Sequence, residues 1–114
     1  MHEIDLDAVP FRATRYPGVA IHFCYSDRAT GHAAVLIRMA PGCSYPAHRH
    51  RGVEELLVLR GGYRDERGEH RAGQYVRYED GSRHPPVALP GGACVFFAIS
   101  AAGIELAGDE LAPG

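Results

Sequence analysis

The sequence contains no lysine: all twelve of its basic residues are arginine. Set against fourteen acidic residues, they leave a formal charge of −2, so no basic excess points to nucleic acid as a partner. Long apolar runs are missing too. None approaches the ~20 residues that a membrane-spanning helix needs. The N-terminal MHEIDLDAVPF is acidic where a secretory leader would be apolar. Cysteine is scarce and odd in number. Cys24, Cys43 and Cys94 stand far apart with no Cys-x-x-Cys among them, which argues against a disulfide framework and a thiolate zinc knuckle. These absences predict a soluble, cytoplasmic protein with reduced thiols and no membrane or nucleic-acid partner. There is no internal repeat, no low-complexity segment, and no stretch with the 3.6-residue period of an amphipathic helix.

What is present is a succession of short β-prone runs separated by turn signals. At 114 residues, 46% apolar and 23% charged, the chain is long enough for one domain with its own core. Residues 1–18 read as an irregular N-terminal arm with turns at Val9-Pro10 and Tyr16-Pro17-Gly18. Residues 19–100 carry the strands: VAIHFCY, then HAAVLIRMA closed by Pro41-Gly42, a central pair split by Arg51-Gly52, a hairpin turning at Arg67-Gly68, QYVRY after Gly73, and ACVFFAIS after Pro90-Gly91-Gly92. Residues 101–114 form a C-terminal tail. Short strands at this spacing predict an all-β fold, a sandwich or barrel in a single domain over 1–114. Residues 55–59 (ELLVL) and 95–99 (VFFAI) are nearly continuous in apolar character rather than alternating. A strand apolar on both faces is buried on both faces, so its outer side needs a cover, from the arm or from a second subunit. A homodimer is the expected arrangement.

The central stretch, GCSYPAHRHRGVEELLVLRG over 42–61, carries the chemistry. In a strand, His48 and His50 project from one face roughly 7 Å apart and can converge on an ion if neighbouring strands supply further ligands. Arg49 and Arg51 alternate with them and turn away. Taken alone, such a pair is more often a solvated edge. Tyr63, Tyr75, Tyr78, Arg38, Gln74 and Phe96 lie on expected strands as candidate pocket walls, but the turns leave their facing open. His2, His22, His32 and His70 read as structural or surface residues. The sequence assigns no residue a catalytic role.

The order Gly42, His48, His50, Glu54, Gly61, with five, one, three and six residues between, resembles the first motif of the cupin superfamily. Gly73, Gly81 and His84 fall at the offsets of its second motif, with Glu79 where that motif has proline and Ala88 where it has asparagine. The resemblance implies a small jelly-roll β-barrel, a double-stranded β-helix, holding one divalent metal ion per chain (Fe, Zn, Mn, Ni or Co) on His48, His50, Glu54 and His84. Three neutral imidazoles and a carboxylate suit such an ion and leave coordination positions open for water, dioxygen or a bidentate ligand. YPAHRHRGVEELLVLRG, DERGEHRAGQYVRY and GSRH are similar in particular to the ChrR-like cupins, over roughly residues 17–99. That likeness implies one of two functions, the first the leading expectation and the second its alternative. One is an Fe(II)-dependent dioxygenase acting on a small oxygen-bearing diketone or phenolic substrate, as in the acetylacetone-cleaving cupins. The other is a non-catalytic, zinc-binding sensory or regulatory cupin, as in the anti-sigma factor module. Glu54 distinguishes this sequence from the three-histidine acetylacetone type. The His-x3-Cys-x2-Cys motif of complete anti-sigma factors is absent, so the chain is expected not to be one.

Overall fold

A computed structural model describes residues 5–44, 49–50, 52–79, 85–101 and 104–105, with 49–50 and 104–105 described by backbone alone. Apart from a 3-10 turn at Leu6–Ala8, the regular structure in these residues is strand: β1 (Arg12–Ala13), β2 (Val19–Ser26), β3 (Ala33–Met39), β4 (Arg49–His50), β5 (Glu54–Arg60), β6 (Gly62–Asp65), β7 (Gly68–Arg71), β8 (Tyr75–Tyr78), β9 (Val87–Ala88), β10 (Cys94–Ser100) and β11 (Ile104–Glu105). They pair antiparallel into a six-stranded sheet of order β1-β2-β3-β10-β5-β8, a three-stranded sheet β7-β6-β9, and the pair β11-β4. The result is an all-β jelly roll in sandwich form, in which the sheets stay separate rather than closing into one ring. The arm is more regular than its sequence suggests: Arg12 pairs with Ile21 and Ala13 with Ala20, extending the large sheet by a two-residue strand too short to leave a pattern. Ile104 likewise pairs with His50, inside the stretch read as tail.

Alternation along the strands sorts the large sheet into two faces. Inward, Ile21, Ile37, Phe96 and Val58 are partners across four strands, and none is more than 1% exposed. The next inner row is Val35, Ala98, Leu56 and Val76, also buried. Burying an apolar side chain of this size contributes about 1.5–3 kcal/mol, so these rows hold the sheet. Tyr63 of β6 packs its ring on Phe96 at 5.8 Å between centroids, joining the small sheet to the large one. The link between β5 and β6 turns on Gly61, whose φ of +64° is left-handed and where a Cβ would strike the Ala93 carbonyl oxygen; only glycine fits there.

The outer face follows the expected pattern only within limits. His22, Leu36, Phe97, Leu57 and Tyr75 form one row across five strands. Leu57 is 40%, Tyr75 58% and neighbouring Ile99 44% exposed. The described part of the arm, residues 5–18, leaves these residues exposed. It docks instead through Phe11 stacked beneath the Arg38 guanidinium at 4.6 Å and through an Arg60–Asp7 ion pair at 2.7 Å.

Candidate metal centre

The inner face becomes polar at one end of the sheet. Beyond the Val35–Val76 row, the next partners are Ala33, Ser100, Glu54 and Tyr78. Glu54 opens β5 with its side chain turned inward, at 3% exposure, and Ser100 Oγ donates to its Oε2 at 3.5 Å. Burying a carboxylate is costly unless hydrogen bonds or a cation compensate, so this placement suits a cation-binding residue. β4 lies just before β5, separated by a turn with Gly52 at φ +77°, and the Ala101 amide donates to the Val53 carbonyl at 3.3 Å. The backbone of His50 is thereby brought to the same end of the sheet as Glu54.

Of the four ligands expected from the sequence, Glu54 is placed in full. His50 is placed by its backbone in β4. His48 and His84 lie outside the described residues, as do the side chains of His50 and Arg49. Among the described residues no three His, Cys, Asp or Glu side chains form a metal-sized cluster. What Glu54 brings to the donor set, a buried carboxylate on the inner face, fits a divalent ion.

Two other titratable groups lie on the inner side. Cys94, paired with Met39 at the end of β10 away from Glu54, is fully buried, and burial pushes its thiol up to about 12, so it stays protonated. Tyr63 is also fully buried, and burial raises its phenol well above the usual range, with Glu54 near enough for its charge to add to the effect.

The facing of several residues that the sequence left open is now visible. Phe96, Tyr63 and Tyr78 point inward, while Tyr75 and Arg38 lie on the outer side, where Tyr75 donates its phenolic hydrogen to Glu55 at 2.6 Å. His22 pairs with Leu36 on the outer face, away from Glu54.

A polar chain that the sequence did not announce runs across the two sheets. Tyr63 and Tyr78 oxygens are 2.6 Å apart, Tyr78 donates to Asp65 Oδ2, and His70 Nε2 sits 2.9 Å from Asp65 Oδ1, which also accepts from the Arg67 amide at 2.9 Å. The Asp65 side chain is fully buried and His70 only 13% exposed. The His70 ring leans on Tyr63 at 4.8 Å, and the Arg67 guanidinium lies 4.7 Å over the Tyr78 ring. Burial alone would raise the Asp65 carboxyl, but hydrogen bonds from Tyr78, His70 and the Arg67 amide outweigh it and hold the group below the usual carboxylate range. His70 is therefore more than a surface residue. Its only sequence signal was its position on a strand facing Tyr63 across a hairpin whose register the turn residues leave undetermined.

With the fold and the buried carboxylate in place, the comparison with known proteins is informative. The family model for the ChrR cupin-like domain matches residues 1–102. The chain belongs to the ChrR cupin-like family. This member is 37% identical over 73 residues to the anti-sigma-E factor ChrR of Cereibacter sphaeroides, a match covering 62% of this chain and 34% of the relative. It superposes on ChrR in the crystal structure of Rhodobacter sphaeroides SigE in complex with the anti-sigma ChrR, with TM-score 0.74 and 31% identity over 84% of this chain and 50% of the other. The cupin member thus spans about a third to a half of the ChrR chains it matches. An acetylacetone dioxygenase from Acinetobacter johnsonii shares the fold at TM-score 0.76 with 15% identity, over 96% of this chain and 79% of that one. Among the described residues no helix is long and apolar enough to cross a membrane.

Proposed function

We propose that this protein is a metal-holding cupin in which His48, His50, Glu54 and His84 bind one divalent ion at the polar end of the inner sheet face. The single observation that carries the reading is Glu54, a carboxylate buried on that face at the position the family motif reserves for a ligand. Bound there, the ion would supply Lewis acidity to oxygen donors of a small molecule. The chain's own residues would shape the space: Leu56, Val76 and Ala98 wall it with apolar surface that keeps water out, while Ser100 holds Glu54.

Two uses of such a centre remain in view, and the comparisons weigh them. Identity of 31–37% to ChrR supports a non-catalytic, ligand-sensing zinc module of the anti-sigma type, whose partner would be a protein of the sigma kind. The 15% likeness to the acetylacetone enzyme supports the fold alone. The coordination positions that four protein ligands would leave open on such an ion keep an iron dioxygenase acting on diketones or phenols as the second reading. Metal analysis of protein purified without added metal, followed by oxygen uptake with acetylacetone and catechol after Fe²⁺ loading, separates them. Tight zinc with no oxygen uptake is the expected result, and steady oxygen consumption would move the protein to the enzymes. The reading keeps the chain in the cytoplasm, which suits its three free thiols.

It also includes a homodimer. Five strands at ~4.8 Å spacing make an outer face roughly 20 Å wide, on the scale of the ~800 Å² per partner that a stable interface buries. The Leu36, Phe97, Leu57 and Ile99 side chains give it an apolar centre, and Glu55, Arg77 and Arg38 lie around it. Leu57→Lys combined with Ile99→Lys is expected to convert a dimer to a monomer in sedimentation without changing metal content. A wild type that sediments as a monomer at micromolar concentration would remove the dimer.

A further inference from the structure

Between the N-terminal arm and the sheet lies an open-sided cleft of about 570 Å³, a size typical of small-molecule sites. Phe11, Tyr16 and Pro17 reach it from the arm, and Pro41 and Ala93 from the loops after β3 and before β10. Among the described residues that line it, Arg38 is the one charged side chain. The walls are fastened in place. Thr14 Oγ1 donates to the Val19 carbonyl at 2.8 Å and accepts from the Tyr16 amide at 3.1 Å, closing the turn that carries Tyr16 and Pro17. The Ala40 amide donates to the Gly18 carbonyl at 2.8 Å, tying that turn to the end of β3. Gly18 has a φ of +77°, and a Cβ there would strike Cys43 Sγ. Walls held in this way spare a ligand the cost of ordering them.

Arg38 is the group left open. Arg60, across Val95 in the sheet, holds Asp7 at 2.7 Å, and Arg77 holds Glu79 at 3.1 Å. Among the described residues no carboxylate reaches Arg38, whose guanidinium lies 4.6 Å over the Phe11 ring. The ring takes one face of the guanidinium and leaves the N–H groups along its edge. That planar fork matches the two oxygens of a carboxylate. The Thr14 hydroxyl is already spent on the backbone, so a bound molecule meets a cation among apolar and aromatic walls.

We propose that this cleft is a second ligand site, one for small aryl carboxylates, with the carboxylate on Arg38 and the ring against the arm. It is separate from the proposed metal centre. Arg38 lies on the outer side of the sheet, about 17 Å along β3 from Ala33, which belongs to the inner row of Glu54.

The test uses two probes of one shape, 2-naphthoate and its neutral amide 2-naphthamide, titrated calorimetrically into the protein as purified. Wild type is expected to bind the carboxylate about tenfold more tightly, as a hydrogen bond to a charged group confers. In Arg38→Gln, which keeps a planar amide beside Phe11, the two affinities should become equal. Equal affinities in wild type, or no binding of 2-naphthoate at millimolar concentration, would overturn the site without recourse to any variant. A carboxylate preference that survives in Arg38→Gln would overturn it as well, because capture of the carboxylate by a metal ion would give that result. Either failure leaves the metal-centre reading intact, since neither depends on His48, His50, Glu54 or His84.

Discussion

Asp65→Ala is expected to lower the melting temperature by about 10 °C, a large effect for one polar residue. The reason is the number of donors that depend on it. Tyr78, His70 and the Arg67 amide all direct hydrogen bonds at this carboxylate, and the side chain has no exposure to water. A buried donor left without its acceptor costs about 1–3 kcal/mol, and together the orphaned groups bring the loss to roughly 3 kcal/mol. The sign of the pH dependence follows from the carboxyl's lowered pKa. A group depressed in the folded state adds stability that is present above its unfolded value, about 3.9 for aspartate, and is lost as pH falls through the folded value. Thermal melts from neutral pH into the acid range should therefore show wild type and Asp65→Ala well apart at neutrality and converging in acid. Equal melting temperatures at pH 7 would mean that the chain contributes nothing to the fold.

Glu54→Gln should have effects of opposite sign in the two metal states. Without metal, the variant melts at or above wild type, because a carboxylate 3% exposed is replaced by a neutral amide of the same shape. With Zn²⁺ at a hundred times its dissociation constant, wild type gains about 2.7 kcal/mol by mass action. The variant should keep only a small part of that gain, since the amide is a far weaker ligand. Scanning calorimetry with and without zinc reads both effects. An equal zinc-induced shift in the two proteins would remove Glu54 from the ligand set.

Local patterns in the sequence carried the fold a long way. The runs at VAIHFCY, HAAVLIRMA, EELLVLR and ACVFFAIS became β2, β3, β5 and β10 because β-branched and aromatic residues bounded by Gly and Pro leave the chain few alternatives. β1 and β11 escaped notice because two-residue strands have no period, and their pairing is decided by partners far along the chain. The outer face was legible as apolar in residues 55–59 and 95–99, but apolar character does not say what covers it. Glu54 stood out because cupin-motif spacing marks it, and alternation from buried Leu56 then places it inward. The Tyr63–Tyr78–Asp65–His70 chain was invisible for the opposite reason. Its members come from three strands whose relative facing depends on the turns at Gly61-Gly62, Arg67-Gly68 and Gly73, and register across such turns is set by three-dimensional packing rather than by local pattern.

The central claim is that one divalent ion sits at the polar end of the inner sheet face, held by His48, His50, Glu54 and His84. Anomalous diffraction at the zinc edge, from crystals grown with Zn²⁺, tests it most directly. The account predicts one strong peak per chain within bonding distance of a Glu54 carboxylate oxygen and of the three imidazoles. A peak bound elsewhere, or none beside Glu54 in zinc-soaked crystals, would contradict it.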